Sequence, residues 1–155
     1  MMEVNLDNGE VLMATMIGLM RNSVSRAAHI QDGKRGNLDP QTMDIDGMGA
    51  EVAFCKHMNL YPDFSLCPQK LTFDCLTKEG NKVDVKQTHY PEGRLLVAPE
   101  KIQSETTHYV LVTGRIPKFK VVGYLEKDDV FEKDNLTELY GRKVYAIEQK
   151  DLKKF

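Results

Sequence analysis

The sequence has no long apolar run. The longest candidate, Val11 to Met20, is bounded by Glu10 and Arg21 and falls short of the roughly 20 apolar residues a membrane span needs. A basic secretory leader is also missing, because Glu3, Asp7 and Glu10 precede that run, so export is not expected. Cysteine is scarce: Cys55, Cys67 and Cys75 are odd in number and lack C-x-x-C spacing, which reads as buried thiols of a cytoplasmic protein. The same three with His57 offer a zinc alternative, although structural zinc sites usually have tighter ligand pairs. There is no Ser/His/Asp order, no G-x-S-x-G elbow and no H-E-x-x-H helix, which weighs against peptide or carbohydrate hydrolysis. The G-x-x-x-x-G-K-[ST] phosphate loop is absent too, so ATP is not an expected cofactor.

What remains is the balance of one globular domain spanning residues 1–155, with 41% hydrophobic and 28% charged residues. The net charge of −2 is no nucleic-acid coat, but an average hides asymmetry. Residues 77–120 hold eight Lys/Arg against five Asp/Glu, whereas residues 124–140 hold two against six. The basic central region offers a face for phosphates, and an ordinary solvated surface is the alternative.

Along the chain, Met13, Met16, Met20, Val24, Ala27 and Ile30 recur near helical spacing and predict a first helix over 11–30 with that stripe buried. Residues 31–40, rich in turn formers, read as a loop. A second helix is expected from Asp46 as N-cap to about Leu60, before Pro62. Glu51 lies inside it among Ala50, Val52, Ala53, Phe54 and Cys55, where an amphipathic helix would normally keep a carboxylate at its wet edge. Strand-like runs follow at Leu71 to Leu76, Lys82 to Thr88, Leu95 to Ala98, His108 to Thr113 and Lys120 to Leu125. Val130 to Leu139 reads as a short acidic helix and Val144 to Ile147 as a last strand. This order predicts an α/β (α+β) sandwich rather than alternating βαβ units.

The segment that carries chemistry is a hairpin. Its strands, Leu71 to Leu76 and Lys82 to Thr88, join through Glu79-Gly80-Asn81, with Gly80 supplying a positive φ. Pairing centred on Glu79 sets Asp74 opposite Asp84. Alternation then sorts the side chains, with Phe73, Cys75, Val83 and Val85 on a buried face and Asp74, Asp84 and Lys86 on the other. Two facing carboxylates are destabilising unless a cation or a proton intervenes, so something is expected between them. Hard oxygens with open water positions suit Mg²⁺ or Mn²⁺. A surface ion pair is the plainer reading of the same residues.

Glu51, Asp74 and Asp84-Val85-Lys86 together resemble the PD-(D/E)XK nuclease superfamily, whose signature is a helical Glu, a strand Asp and (D/E)-x-Lys on the next strand. The likeness covers about residues 46–125. Gly49 to Phe54 resembles the helical Glu motif, while Tyr109 to Val112 and Val121 to Tyr124 resemble later core strands of small phage-encoded members. Phe73 stands where the name-giving proline would be, and Asp84 where glutamate is more frequent. The resemblance implies a restriction-endonuclease-like central mixed sheet flanked by helices. It also implies Asp74 and Asp84 as metal ligands, Glu51 completing or extending the site, and Lys86 orienting water and stabilising charge. The reaction implied is phosphodiester hydrolysis in DNA, and a homodimer is plausible by resemblance alone. From charge and position, Thr88, Arg94, Lys101, Arg115, Lys118 and Lys120 are the candidate phosphate contacts, with Lys34 and Arg35 of the early loop. A nuclease fold that binds nucleic acid or protein without catalysis is the rival expectation.

Overall fold

The strand alternation legible in the hairpin organises the whole molecule. A computed structural model describes residues 1–27, 39–66 and 73–155. Its elements are β1 (Met2–Asn5), α1 (Asn8–Ala27), α2 (Pro40–Met58), β2 (Cys75–Leu76), β3 (Lys82–Thr88), β4 (Leu95–Val97), β5 (His108–Arg115), β6 (Lys118–Glu126), α3 (Lys127–Val130), β7 (Leu136–Leu139) and β8 (Arg142–Ile147). The fold is mixed α+β. Five strands form a mixed sheet in the order β1-β6-β5-β3-β2, with β3 and β5 parallel and the other neighbours antiparallel. A smaller antiparallel sheet has the order β4-β8-β7.

The central sheet is buried on both faces, which explains why β5 reads as the nearly continuous apolar run Tyr109-Val110-Leu111-Val112. On one face Val83, Val85, Val110, Val112 and Val121 share a core with Ala50, Val52, Ala53, Phe54 and Cys55 of α2. On the other, Tyr109, Leu111, Val122 and Leu125 share a core with Leu95, Val97 and Ile147 of the small sheet. The parallel β3–β5 connection therefore does not cross over through a helix. It passes through β4 and a 3₁₀ turn over Pro99–Gln103.

Four sequence expectations for the helices need correction. Helix α1 begins earlier than predicted, because Asp7 and Glu10 form a capping box: the Glu10 amide donates to Asp7 at 2.9 Å and the Asp7 amide to Glu10 at 2.7 Å. Its buried face is Ala14, Ile17, Gly18 and Asn22, not the methionine stripe. Met13, Met16 and Met20 are exposed, together with Leu12 and Leu19. The reason is steric. A Cβ built on Gly18 would meet the Ile45 Cα at 2.7 Å, so at that position α1 and α2 approach too closely for any side chain. Ile30 and most of the predicted 31–40 loop lie outside the described residues.

Helix α2 starts at Pro40 rather than after Asp46. Asp39 is its N-cap, accepting from the Thr42 amide at 3.1 Å, and Pro40 occupies the first helical turn, where a missing N–H costs nothing. Hydrogen bonds from the Thr42 hydroxyl and amide hold the Asp39 carboxyl below the usual carboxylate range. Asp46 lies buried within the helix and accepts from Arg115 at 3.0 Å and from the Ile116 amide at 3.3 Å, fastening α2 to the β5–β6 turn. The helix ends as expected before Pro62, with Asn59 in the left-handed region at φ 54°.

The predicted acidic helix over 130–139 is instead the end of α3, a 3₁₀ turn over Lys133–Asn135 and strand β7. Strand β1 was not anticipated. It adds to the free edge of β6 with Met2 paired to Val121. No helix among the described residues is long and apolar enough to cross a membrane.

Candidate functional site

The hairpin register is the one centred on Glu79. Cys75 pairs with Val83 and Leu76 with Lys82, which carries Asp74 to the level of Asp84, and Gly80 has φ +89°. Leu71 and Thr72, the predicted start of the first strand, lie outside the described residues, and the ladder loosens at Asp74. The Asp74 amide still donates to the Val83 carbonyl at 2.7 Å, but the Val85 amide donates to the Asp74 carboxylate, also at 2.7 Å. A side-chain oxygen thus takes the place of a backbone carbonyl in the ladder. The Asp74 carboxylate is anchored one peptide from Asp84.

Asp84 is only 3% exposed, a position a carboxylate tolerates when compensated. The compensation comes from two ammonium groups, Lys86 at 2.5 Å from Oδ1 and Lys101 at 3.4 Å from Oδ2. Lys86 reaches it because residues two apart share a strand face, and Lys101 because the 3₁₀ turn over Pro99–Gln103 lies over that face. The positive charge that the facing carboxylates demand is therefore supplied here by lysine. Tyr109, paired with Asp84 across the parallel β3–β5 ladder, is fully buried. Burial pushes its phenol up from its ordinary value, and the Asp84 charge adds to the effect.

Glu51 lies on α2, against the Val83/Val85 face of the sheet. Its carboxylate pairs with Arg21 of α1 at 3.0 Å, and Arg21 also donates to the Ser65 and Asp63 carbonyls at 2.9 and 2.6 Å. Asp74 and Glu51 flank Cys75. The Cys75 thiol is pushed up first by its hydrogen bond with Cys55 and by burial, with the Asp74 and Glu51 charges contributing further. Cys55 and Cys75 are free and buried. Cys67, the third cysteine of the zinc alternative, lies outside the described residues.

Among the described residues no group of three His, Cys, Asp or Glu side chains is drawn together to hold a metal ion. The donor chemistry nevertheless suits Mg²⁺ or Mn²⁺ in one respect. Asp74, just before β2, and Asp84 on β3 are hard oxygen donors, and such ions fill most of their shell with water and phosphate.

Beside this cluster opens a cleft of about 1000 Å³, walled by Lys86, Thr88, Arg94, Lys101, Arg142 and Lys143, with Glu92 and Glu100 as the acidic residues of its lining. It runs between the end of β3 and the small sheet. Of the phosphate contacts expected from sequence, Thr88, Arg94 and Lys101 line it. Arg115 does not, being turned to Asp46, and neither do Lys118 and Lys120, the latter lying 3.8 Å from Glu3. Lys34 and Arg35 are outside the described residues. Arg142 and Lys143 were missed by sequence reasoning. They stand more than 50 positions from the hairpin, and only the β4–β8 pairing brings them to the cleft. The one local signal was two adjacent cations after a Tyr-Gly turn.

No family model, curated protein or solved structure matches this chain.

Proposed function

We propose that this chain is a metal-dependent nuclease of the PD-(D/E)XK type that hydrolyses phosphodiester bonds in DNA, on a restriction-endonuclease-like version of the mixed α+β fold. The observation that supports the reading is the net positive cleft, with five Lys/Arg against two Glu on its walls, opening onto Lys86 and Lys101, the two lysines that hold Asp84. Phosphates entering the cleft meet Arg94, Lys101, Arg142 and Lys143, which position the backbone without reading sequence. Lys86, 2.5 Å from the Asp84 carboxylate, would hold an attacking water and stabilise charge that develops on the phosphoryl oxygens. Asp74 and Asp84 are the residues that would hold Mg²⁺ or Mn²⁺, with Glu51 supporting the Asp74 side of the site across the α2–β2 interface. The ion, when bound, supplies polarisation of the phosphate and a more acidic water. A cytoplasmic location and a homodimer belong to the same proposal.

The rival is a binding module without catalysis. One observation favours it: the Asp84 charge is already balanced by two lysines, an arrangement that stands without a metal. Cleavage of supercoiled, linear, single-stranded and branched DNA, and of RNA, with Mg²⁺ or Mn²⁺ separates the two. Lys86→Met is expected to keep DNA binding and lose most turnover, because its ammonium acts on charge that appears only during attack. Undiminished cleavage by that variant removes Lys86 from the mechanism, and no cleavage by wild type on any substrate leaves the binding module.

A further inference from the structure

Two exposed tyrosines stand on the walls of the cleft, and one of them occupies a backbone position ill suited to it. Strands β7 and β8 are joined by a two-residue turn, Tyr140-Gly141, closed by the Leu139–Arg142 pair. Both turn residues have positive φ, 50° and 74°, as a type I′ hairpin requires. Asn, Asp and Gly accept the first of these positions readily, whereas a bulky side chain is strained there. The Tyr140 ring gains little burial in return, since it is 80% exposed. Strain kept without a packing benefit points to a role in binding. Tyr90, in the segment after β3, is 62% exposed, and its ring centroid lies 3.8 Å from that of His89. Tyr90, His89 and Tyr140 all line the cleft alongside Arg94, Arg142 and Lys143.

Open aromatic faces beside a cationic track are the combination that holds unpaired nucleotides. The cations follow the phosphates, and each free base lays its π-face on a ring. Bases inside a duplex are already stacked on their neighbours and cannot do this. We propose that the cleft takes a DNA single strand, whether free or as an overhang, with Tyr140 and Tyr90 as its stacking surfaces. This deepens the nuclease reading by naming its substrate class, and it rests on that reading only for the place of the cleft beside Asp84 and Lys86.

The test measures binding in EDTA, where cleavage does not interfere. Fluorescence anisotropy would compare a labelled single strand of about 16 nucleotides, the upper end of a typical single-strand site, with its duplex. Wild type is expected to prefer the single strand. Tyr90→Ala and Tyr140→Asn should each weaken single-strand binding by about fivefold to a hundredfold, the range of base–aromatic stacking, and leave duplex binding unchanged. Tyr140→Phe should retain wild-type affinity. Tyr140→Asn should also melt no lower than wild type, because Asn suits the turn better. Equal affinity of wild type for both DNAs, or single-strand binding untouched by both tyrosine substitutions, overturns the proposal. So does an equal loss on both DNAs. Ring-dependent single-strand binding without cleavage in Mn²⁺ would instead sink the nuclease reading and leave this one standing.

Discussion

Replacing Asp84 by Asn tests the electrostatics of the site most directly. Seen as one of two facing carboxylates, Asp84 should be a source of strain, and the substitution should melt no lower than wild type without metal. The lysines reverse that sign. At an effective dielectric of 20, ammonium groups at 2.5 and 3.4 Å attract the carboxylate by about 7 and 5 kcal/mol before desolvation. Repulsion from Asp74, at the roughly 5 Å spacing of facing residues, is about 3 kcal/mol on the same basis. Attraction wins. Most of that gross figure is cancelled by desolvation and by water at the ammonium ends, since the Lys86 and Lys101 side chains are 28% and 39% exposed. Asn keeps the shape and a neutral acceptor, so the net loss should be about 1–2 kcal/mol, in line with a screened, charge-assisted hydrogen bond. For a chain of this length that is a melting temperature lower by roughly 2–8 °C in EDTA. With Mn²⁺, wild type should gain about 2.7 kcal/mol at a hundredfold excess over the dissociation constant, and Asp84→Asn should gain little. Melting curves in EDTA and through a Mn²⁺ titration read both effects. A variant that melts at or above wild type in EDTA refutes the pairing with the lysines, and one that keeps the full Mn²⁺ shift refutes Asp84 as a ligand.

Glu51→Gln should cost about 1–2 kcal/mol in urea unfolding, because it strips the charge partner from an Arg21 whose side chain is only 16% exposed; wild-type stability would mean that the ion pair does not hold α1 to α2. Lys101→Met should tighten Mn²⁺ binding several-fold in the absence of DNA, since it removes a positive charge 3.4 Å from an Asp84 oxygen, while weakening DNA binding. Unchanged metal affinity, measured by thermal shift, would show that Lys101 does not compete with the cation.

The part of the site that sequence made legible is the part governed by a local rule. Period-two alternation and a Gly turn fix the β2–β3 register, so Asp74 arrives beside Asp84 and Lys86 shares the Asp84 face. The helix boundaries are equally local: Asp7-x-x-Glu10 and Asp39-Pro40 are both start signals, and the second stands at the end of a stretch whose turn-former content favours a loop. The buried face of α1 was not legible from apolar periodicity, because it includes Gly18, where α2 approaches too closely for a side chain, and the polar Asn22, which donates to Asp44 of α2. The far wall of the cleft was hidden for another reason. Arg142 and Lys143 reach Lys86 only through the pairing of β4 with β8 and the stacking of two sheets, and no spacing in the chain encodes that encounter.

The same lysines that balance Asp84 line the cleft, and on the proposed reading this links its two ligands. If Asp74 and Asp84 hold a cation, the ammonium groups paired with Asp84 would compete with it, and the metal alone would be held weakly. A phosphate in the cleft offers those ammonium groups another anion. Drawing Lys86 and Lys101 toward it would free the Asp84 oxygens to hold a cation, and with the carboxylate so occupied the lysines would be available to the phosphate. Each ligand thereby lowers the cost of binding the other, and the coupling must be equal in both directions. Lys86, shared between carboxylate and cleft, would then reach the phosphoryl oxygens only when both ligands are present. If the proposed reading holds, such an arrangement would keep the hydrolytic geometry from forming on metal alone, which would be a physical reason for a buried Asp84 to carry two lysine partners rather than one.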